Sequence, residues 1–290
     1  MSNTYKIKEY FQYDLYTKKM HLFKSMIGRF FGKDSHQIIK EIGNKINTSG
    51  KLKNDDFYQI YKKFIRNKPP QDTKTLLNAE TNRQKKHMSI ILELFKNTKY
   101  EFDKNTVYVD YGCNDGALTI AVVKLFNLNP KNVYCFDLID QPELVKLAGY
   151  NYIKIDTKNL ENIFKNIPKI NLLTIINVLH HMNNEDRIDL TTTLNKKLSN
   201  CYTIIKEHNC NLNIFDTVYR NLITEWHNLY VKLRNEANFM GEIDLISYNH
   251  VKIFMYDMHS TCIGYIPDQE YDILRSYMAL FVQIPKYTRQ

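Results

Sequence analysis

Val107-Tyr-Val-Asp110-Tyr-Gly112-Cys-Asn114-Asp115-Gly116 begins as an apolar segment, breaks at two glycines and passes at Ala117 into a helical pattern. Its first half has the β-branched and aromatic composition of a buried strand. Its second half is a turn that accepts only small or left-handed-tolerant residues. Gly112 and Gly116 let the backbone approach a ligand, and Asn114 belongs with Asp to the non-glycine types most tolerant of positive φ. The N–H groups that open the following helix suit an anion such as a carboxylate. Asp137 closes the next apolar run, 21 positions after Gly116, where a βαβ nucleotide-binding unit places the acid that takes ribose hydroxyls. A dinucleotide site would show G-x-G-x-x-G, whereas the spacing here is Gly112-x-Asn114-x-Gly116. The plainer reading of the same residues is a tight turn followed by an acidic helix cap.

Working outward, short apolar runs alternate with helical stretches, the pattern of a parallel α/β sheet. Strands are expected at Thr106–Tyr111, Asn132–Asp137, Tyr152–Ile155, Leu172–Asn177 and Tyr202–Lys206, with further strands near His250–Met255 and Leu280–Ile284. Helices are expected at Gly116–Phe126, Gln141–Leu147, Leu160–Asn166, Glu185–Leu198 and Ile214–Asn235. N-terminal to these, aromatic and aliphatic residues spaced by Lys from Tyr5 to Ile65, and again from Leu76 to Phe95, fit amphipathic helices. Asn47-Thr-Ser-Gly50 and Pro69-Pro70 read as breaks between them. The expectation is an α/β protein: a Rossmann-like, seven-stranded, mostly parallel sheet flanked by helices over 98–290, with a basic helical N-terminal extension over 1–97.

Asp-Tyr-Gly-Cys-Asn-Asp-Gly at 110 to 116 resembles the first motif of class I S-adenosylmethionine-dependent methyltransferases, and the similarity extends from Val107 to His208. The resemblance implies S-adenosyl-L-methionine as cofactor, bound by Asp110, Gly112, Cys113, Asn114, Gly116, Asp137, Leu138, Asp156 and Asn177. In it Asp110 faces the methionyl ammonium, Asp137 takes the ribose and Asp156 lies near the adenine amino group. Asn177-Val-Leu-His180-His181-Met182 matches the segment bordering the methyl group. Asn114 is the departure, since the family usually has Gly there.

Methyl transfer to a nucleophile is an in-line displacement, so the protein positions the acceptor and, where needed, removes its proton. An open α/β sheet holds its ligand at the carboxyl ends of its strands, which makes His180, His181, Lys206 and Glu207 the catalytic candidates. Either imidazole titrates near neutral pH and can act as base; the alternative is that one caps the strand end and the other packs on the cofactor. Lys206 and Glu207 can orient an RNA ribose or another polar substrate, or form a solvated strand end. Ribose 2′-O-methyltransferases use a Lys-Asp-Lys-Glu set, and Lys206 resembles its second Lys. Asn177 stands at the Asp position, where an amide cannot tune the neighbouring ammonium as a carboxylate does. His208-x-Cys210 with His227 matches no common zinc spacing, and no metal is expected. Trp226 and Tyr230 lie on an expected helix that either covers the substrate mouth or packs in the core.

The 290 residues carry a net charge of +9, unevenly distributed. Residues 1–100 hold an excess of +12 and residues 101–290 a balance of −3. Lys62, Lys63, Arg66 and Lys68, and Arg83, Lys85 and Lys86, are interleaved with Tyr and Phe. Basic residues neutralise phosphates and aromatic rings stack unpaired bases, so RNA, including an mRNA cap or a ribose 2′-O position, is the expected acceptor and partner. Two other readings keep the fold: a small-molecule methyltransferase, since the Leu179–Met182 segment is common among such enzymes, and a catalytically silent partner subunit. Five cysteines without a C-x-x-C pair, no apolar run of membrane-spanning length and no signal-peptide pattern point to a reduced, cytoplasmic protein.

Overall fold

The computed structural model describes residues 82–209, 246–267, 276–284 and 32–49, with shorter pieces at 4–5, 24, 27–28, 56, 59–60, 63 and 243–244. Contacts divide the chain into two units. One comprises Met1–Pro69, Asn209–Ser247 and Gln269–Arg275; the other comprises Pro70–His208, Tyr248–Asp268 and Ser276–Gln290.

In the first unit, helix α1 (Ser35–Ser49) buries Ile38, Ile42 and Ile46, successive i, i+4 positions on one face. Thr4–Tyr5 pairs antiparallel with Ile243–Asp244. The expected helix Ile214–Asn235, with Trp226, His227 and Tyr230, lies outside the described residues, as do Cys210, Lys62, Arg66 and Lys68.

The second unit is built on one seven-stranded sheet. Its strands are β1 (Tyr108–Tyr111), β2 (Val133–Asp137), β3 (Asn151–Lys154), β4 (Ile170–Ile176), β5 (Leu198–His208), β6 (Ser260–Pro267) and β7 (Ser276–Gln283). They lie in the order β3-β2-β1-β4-β5-β7-β6. The first five are parallel, while β7 runs antiparallel to both β5 and β6. Order reverses at β1, so the crevice beyond the carboxyl ends of β1 and β4 is where ligands bind in such sheets. The helices are α2 (Asn82–Phe95), α3 (Ala117–Phe126), α4 (Glu143–Leu147), α5 (Leu160–Lys165), α6 (Asn184–Asn195) and α7 (Tyr248–Asp257).

β1 and β4 are buried on both faces, as central strands covered by helices must be. On one face α2 and α3 pack against Tyr108, Leu172, Ile204 and Leu280. Phe95 anchors that layer, with edge contacts to Tyr100, Phe102 and Phe126 at ring-centre distances of 4.9 to 5.7 Å. The expected boundary after residue 97 leaves α2 outside the sheet domain. The contacts instead group α2 with the sheet, because Ile91, Leu94 and Phe95 complete its core.

One expected element is corrected. His250–Met255 is not a strand but lies within α7, which buries Val251, Phe254 and Met255. Positions i, i+3 and i+4 form a helical stripe, and a six-residue window is too short to separate it from a β pattern. The missing strand is β6, whose exposure alternates along Thr261 to Pro267. Among the described residues, no helix is long and apolar enough to cross a membrane.

Candidate functional site

The turn after β1 is built from left-handed backbone. Gly112, Asn114 and Gly116 have φ of 82°, 50° and 80°, alternating with residues of ordinary conformation. The N–H groups of Gly112 and Cys113 both donate to the Phe136 carbonyl, at 2.7 and 3.0 Å, which ties the turn to the end of β2. A Cβ on Gly112 would strike Val178, and one on Gly116 would strike Val145. Both glycines are therefore required twice, by φ and by space. Asn114 explains its own departure from the family motif, since Asn tolerates the αL conformation that the position imposes. The same solution recurs: four of the five non-glycine residues with positive φ among the described residues are Asn.

Asp137 sits at the end of β2, half-buried, and binds the turn directly. One carboxylate oxygen accepts the Asn114 N–H at 2.6 Å and the other accepts the Leu138 N–H at 2.7 Å. The second oxygen also accepts the Ile139 N–H at 3.4 Å, so the first is the one that keeps a lone pair for a hydroxyl. Leu138 and Ile139, immediately after it, are 56% and 41% exposed, an apolar edge beside the acid. Asp156, at the end of the loop after β3, is exposed and accepts the Lys158 N–H at 3.1 Å. Its neighbour Ile155 donates its N–H to the Asp137 carbonyl at 2.8 Å, which brings the two acidic positions side by side.

Two expectations at the turn are corrected. Asp110 does not face an open site: it is 1% exposed, and its two oxygens accept the Thr119 and Thr174 hydroxyls at 2.5 and 2.7 Å. Tyr108 extends this chain through its hydroxyl to Thr174 at 2.9 Å. Burial, opposed by those two hydrogen bonds, pushes the Asp110 carboxyl up to about 6. Asp110 thus locks β1 to α3 and β4 beneath the turn. Cys113 likewise turns its side chain inward beside Cys135, and that contact, with burial, pushes its thiol far above the ordinary range. At the start of α3, the Ala117 N–H is already taken by the Asp115 carboxylate at 3.1 Å.

The ends of β4 and β5 hold the catalytic candidates. Asn177 turns the chain at φ 58° and donates its N–H to the Lys206 carbonyl at 2.7 Å. Its side-chain Oδ1 is buried without a hydrogen-bond partner. Glu207 is fully buried and holds the loop that follows. One oxygen accepts the Val178 and Leu179 N–H groups at 2.8 and 2.7 Å, and the other meets His180 Nδ1 at 2.5 Å. His180 is 1% exposed. Glu207 and His180 are therefore each committed to hydrogen bonds inside the protein. His181 is half-buried, with its ring centre 4.0 Å from that of His180.

Lys206 lies on the opposite sheet face from Glu207, as adjacent strand residues must. There its Nζ stands 3.0 Å from Nε2 of His87, a buried residue of α2. Two nitrogens at hydrogen-bond distance require one to be an unprotonated acceptor. His87 lies on the buried face of α2 beside Met88 and Ile91. A polar residue on such a stripe is the signal that marks it.

No family model matches the chain, and no curated protein is similar to it in sequence. Solved structures are similar in fold. An O-methyltransferase family protein from Burkholderia thailandensis aligns at a TM-score of 0.50 and 9% identity, over 74% of this chain and 60% of that one. CalO1, a methyltransferase in calicheamicin biosynthesis solved with SAH bound, aligns at 0.43 and 10% identity, over 69% and 55%. Magnesium protoporphyrin IX methyltransferase from Synechocystis, also with SAH bound, aligns at 0.48 and 11% identity, over 77% and 93%. The chain thus spans little more than half the length of the first two. At these identities the likeness is one of architecture alone. The chain shares a Rossmann-like α/β fold with these solved structures.

Proposed function

We propose that the chain binds S-adenosylmethionine over the Gly112–Gly116 turn and transfers its methyl group to a small organic acceptor. The observation that carries this reading is the direct bond between the two halves of a nucleoside site, the left-handed turn at Asn114 and the carboxylate of Asp137. The residues present fit the cofactor: the buried, unpartnered Oδ1 of Asn177 is an acceptor suited to an ammonium, and Asp137 retains a lone pair for a ribose hydroxyl. Leu138 and Ile139 offer exposed apolar surface to a base, and Asp156 flanks the same edge. When bound, S-adenosylmethionine supplies an electrophilic methyl on a sulfonium.

The chain's own groups then hold the acceptor and take its proton. His181 is assigned the proton, because it is the imidazole of the pair with exposed surface, whereas Glu207 fixes His180 in the Nδ1–H tautomer. Glu207 serves by holding Val178 to His180 against the glycine turn, where Val178 packs on Gly112.

One observation supports a small acceptor over RNA. Asn177 and Lys206 do not reproduce the Lys-Asp-Lys-Glu set of ribose methylation, and Lys206 is close to His87. The +12 excess in residues 1–100 is the observation that favours RNA. Transfer of labelled methyl from S-adenosylmethionine to separated pools of small molecules, RNA and protein tests the choice. Label is expected in the small-molecule pool. Label confined to RNA would overturn the acceptor reading, and cofactor binding without label in any pool would overturn the transferase reading.

A further inference from the structure

Tyr277 begins β7 at the same end of the sheet as the site. Its Cα pairs with that of Glu207 across β5 and with that of Pro267 across β6. The side chain is 0% exposed, and its hydroxyl has no hydrogen-bond partner. A buried hydroxyl left unmade is costly, so a native position that keeps one calls for an explanation. Glu207, whose carboxylate accepts from Val178, Leu179 and His180, is not within hydrogen-bond distance of that hydroxyl. Burial, then the negative charge of Glu207, pushes the Tyr277 phenol well above its ordinary value. The phenol therefore stays protonated and remains a neutral donor.

Its surroundings are aromatic. The rings of Tyr248 and Tyr265 lie 5.1 and 5.5 Å from that of Tyr277, and 4.5 Å from each other. Among the described residues, another buried polar atom without a hydrogen-bond partner at this end of the sheet is Asn177 Oδ1, after β4. Only β5 separates the two strands, so they stand about 10 Å apart at ordinary sheet spacing. Asn177 borders the cofactor turn, and Tyr277 borders the region beyond it.

We propose that the Tyr277 hydroxyl determines acceptor specificity, donating a hydrogen bond to an uncharged oxygen of an aromatic small molecule whose ring packs beside Tyr248 and Tyr265. This rests on the transferase reading of the site. A neutral donor among tyrosine rings selects a hydroxyl or carbonyl oxygen, and offers no charge to a phosphate.

Tyr277→Phe removes the hydroxyl and keeps the ring. Labelled-methyl transfer from S-adenosylmethionine to the organic-extractable small-molecule pool, measured over dilutions of that pool, should show an apparent KM raised about tenfold. Calorimetric affinity for S-adenosylmethionine should stay within about twofold, and the thermal midpoint should be no lower than in the unaltered protein. An unchanged dependence on pool concentration would overturn the role of Tyr277 while leaving the transferase reading intact. A midpoint lowered by several degrees would also overturn it, because the hydroxyl would then have an internal partner. If the unaltered protein binds cofactor and labels nothing, both readings fall together.

Discussion

Asp110 shows how a residue singled out by its motif can act in another way. Burial raises its carboxyl from 3.8 to about 6, so the folded protein binds the proton more tightly than the unfolded chain. The stability linked to this group is greatest below pH 3.8 and is lost as pH rises through about 6. Asp110→Asn removes the titration and leaves an amide that can still accept one threonine hydroxyl. Relative to the unaltered protein, the variant should gain on the order of 2 to 3 kcal/mol between pH 4 and 7. Chemical denaturation across that range measures it, and a pH-independent difference would show that Asp110 is not buried as described. Gly112 makes a second prediction at this scale. Gly112→Ala should weaken S-adenosylmethionine binding by tenfold or more, and adding Val178→Ala should recover part of the loss by making room for the Cβ. Full recovery would mean that φ at this position does not matter. The turn was legible in the sequence because glycine spacing encodes backbone conformation. The direction of Asp110 was not, since its partners Thr119 and Thr174 are distant along the chain and ordinary in type.

Among the elements, the loop after β4 depends on a strand that follows it by about thirty residues. Glu207 accepts from three consecutive residues of that loop, and removing it leaves two buried backbone donors and an imidazole without their acceptor. Glu207→Ala should cost roughly 3 to 5 kcal/mol, as breaking a buried charged network does. In hydrogen exchange, the Val178 and Leu179 amides should lose protection before those of β1. Uniform loss across the sheet would show that the clamp is merely part of the global core. The sequence placed Glu207 and His180 together at the strand ends, as the topology of a parallel sheet dictates, but a side chain's direction depends on strand parity and burial. The same limit explains α7. Its three buried residues satisfy both a short strand pattern and a helical stripe, and contact with the neighbouring α6 and β6 decides between them. Strands β1 to β5 were recognisable because each is a run of β-formers bounded by turn residues.

Across the whole molecule, charge and the proposed site suit different acceptors. The first hundred residues carry all of the excess positive charge, which suits the phosphates of RNA, whereas the acceptor proposed for the strand ends is a small neutral molecule. Salt separates them. An RNA acceptor held by several phosphate contacts would lose about a thousandfold or more in affinity between 50 and 200 mM salt. A small acceptor should change its apparent KM less than about threefold over the same range. Both outcomes presuppose that the cofactor binds where the turn and Asp137 meet. Titration of S-adenosylmethionine into the purified protein by calorimetry tests that directly. One site per chain is predicted, weakened at least about tenfold in Asp137→Ala by loss of hydrogen bonds to a charged group. No binding to the unaltered protein, or binding that Asp137→Ala leaves unchanged, would contradict it.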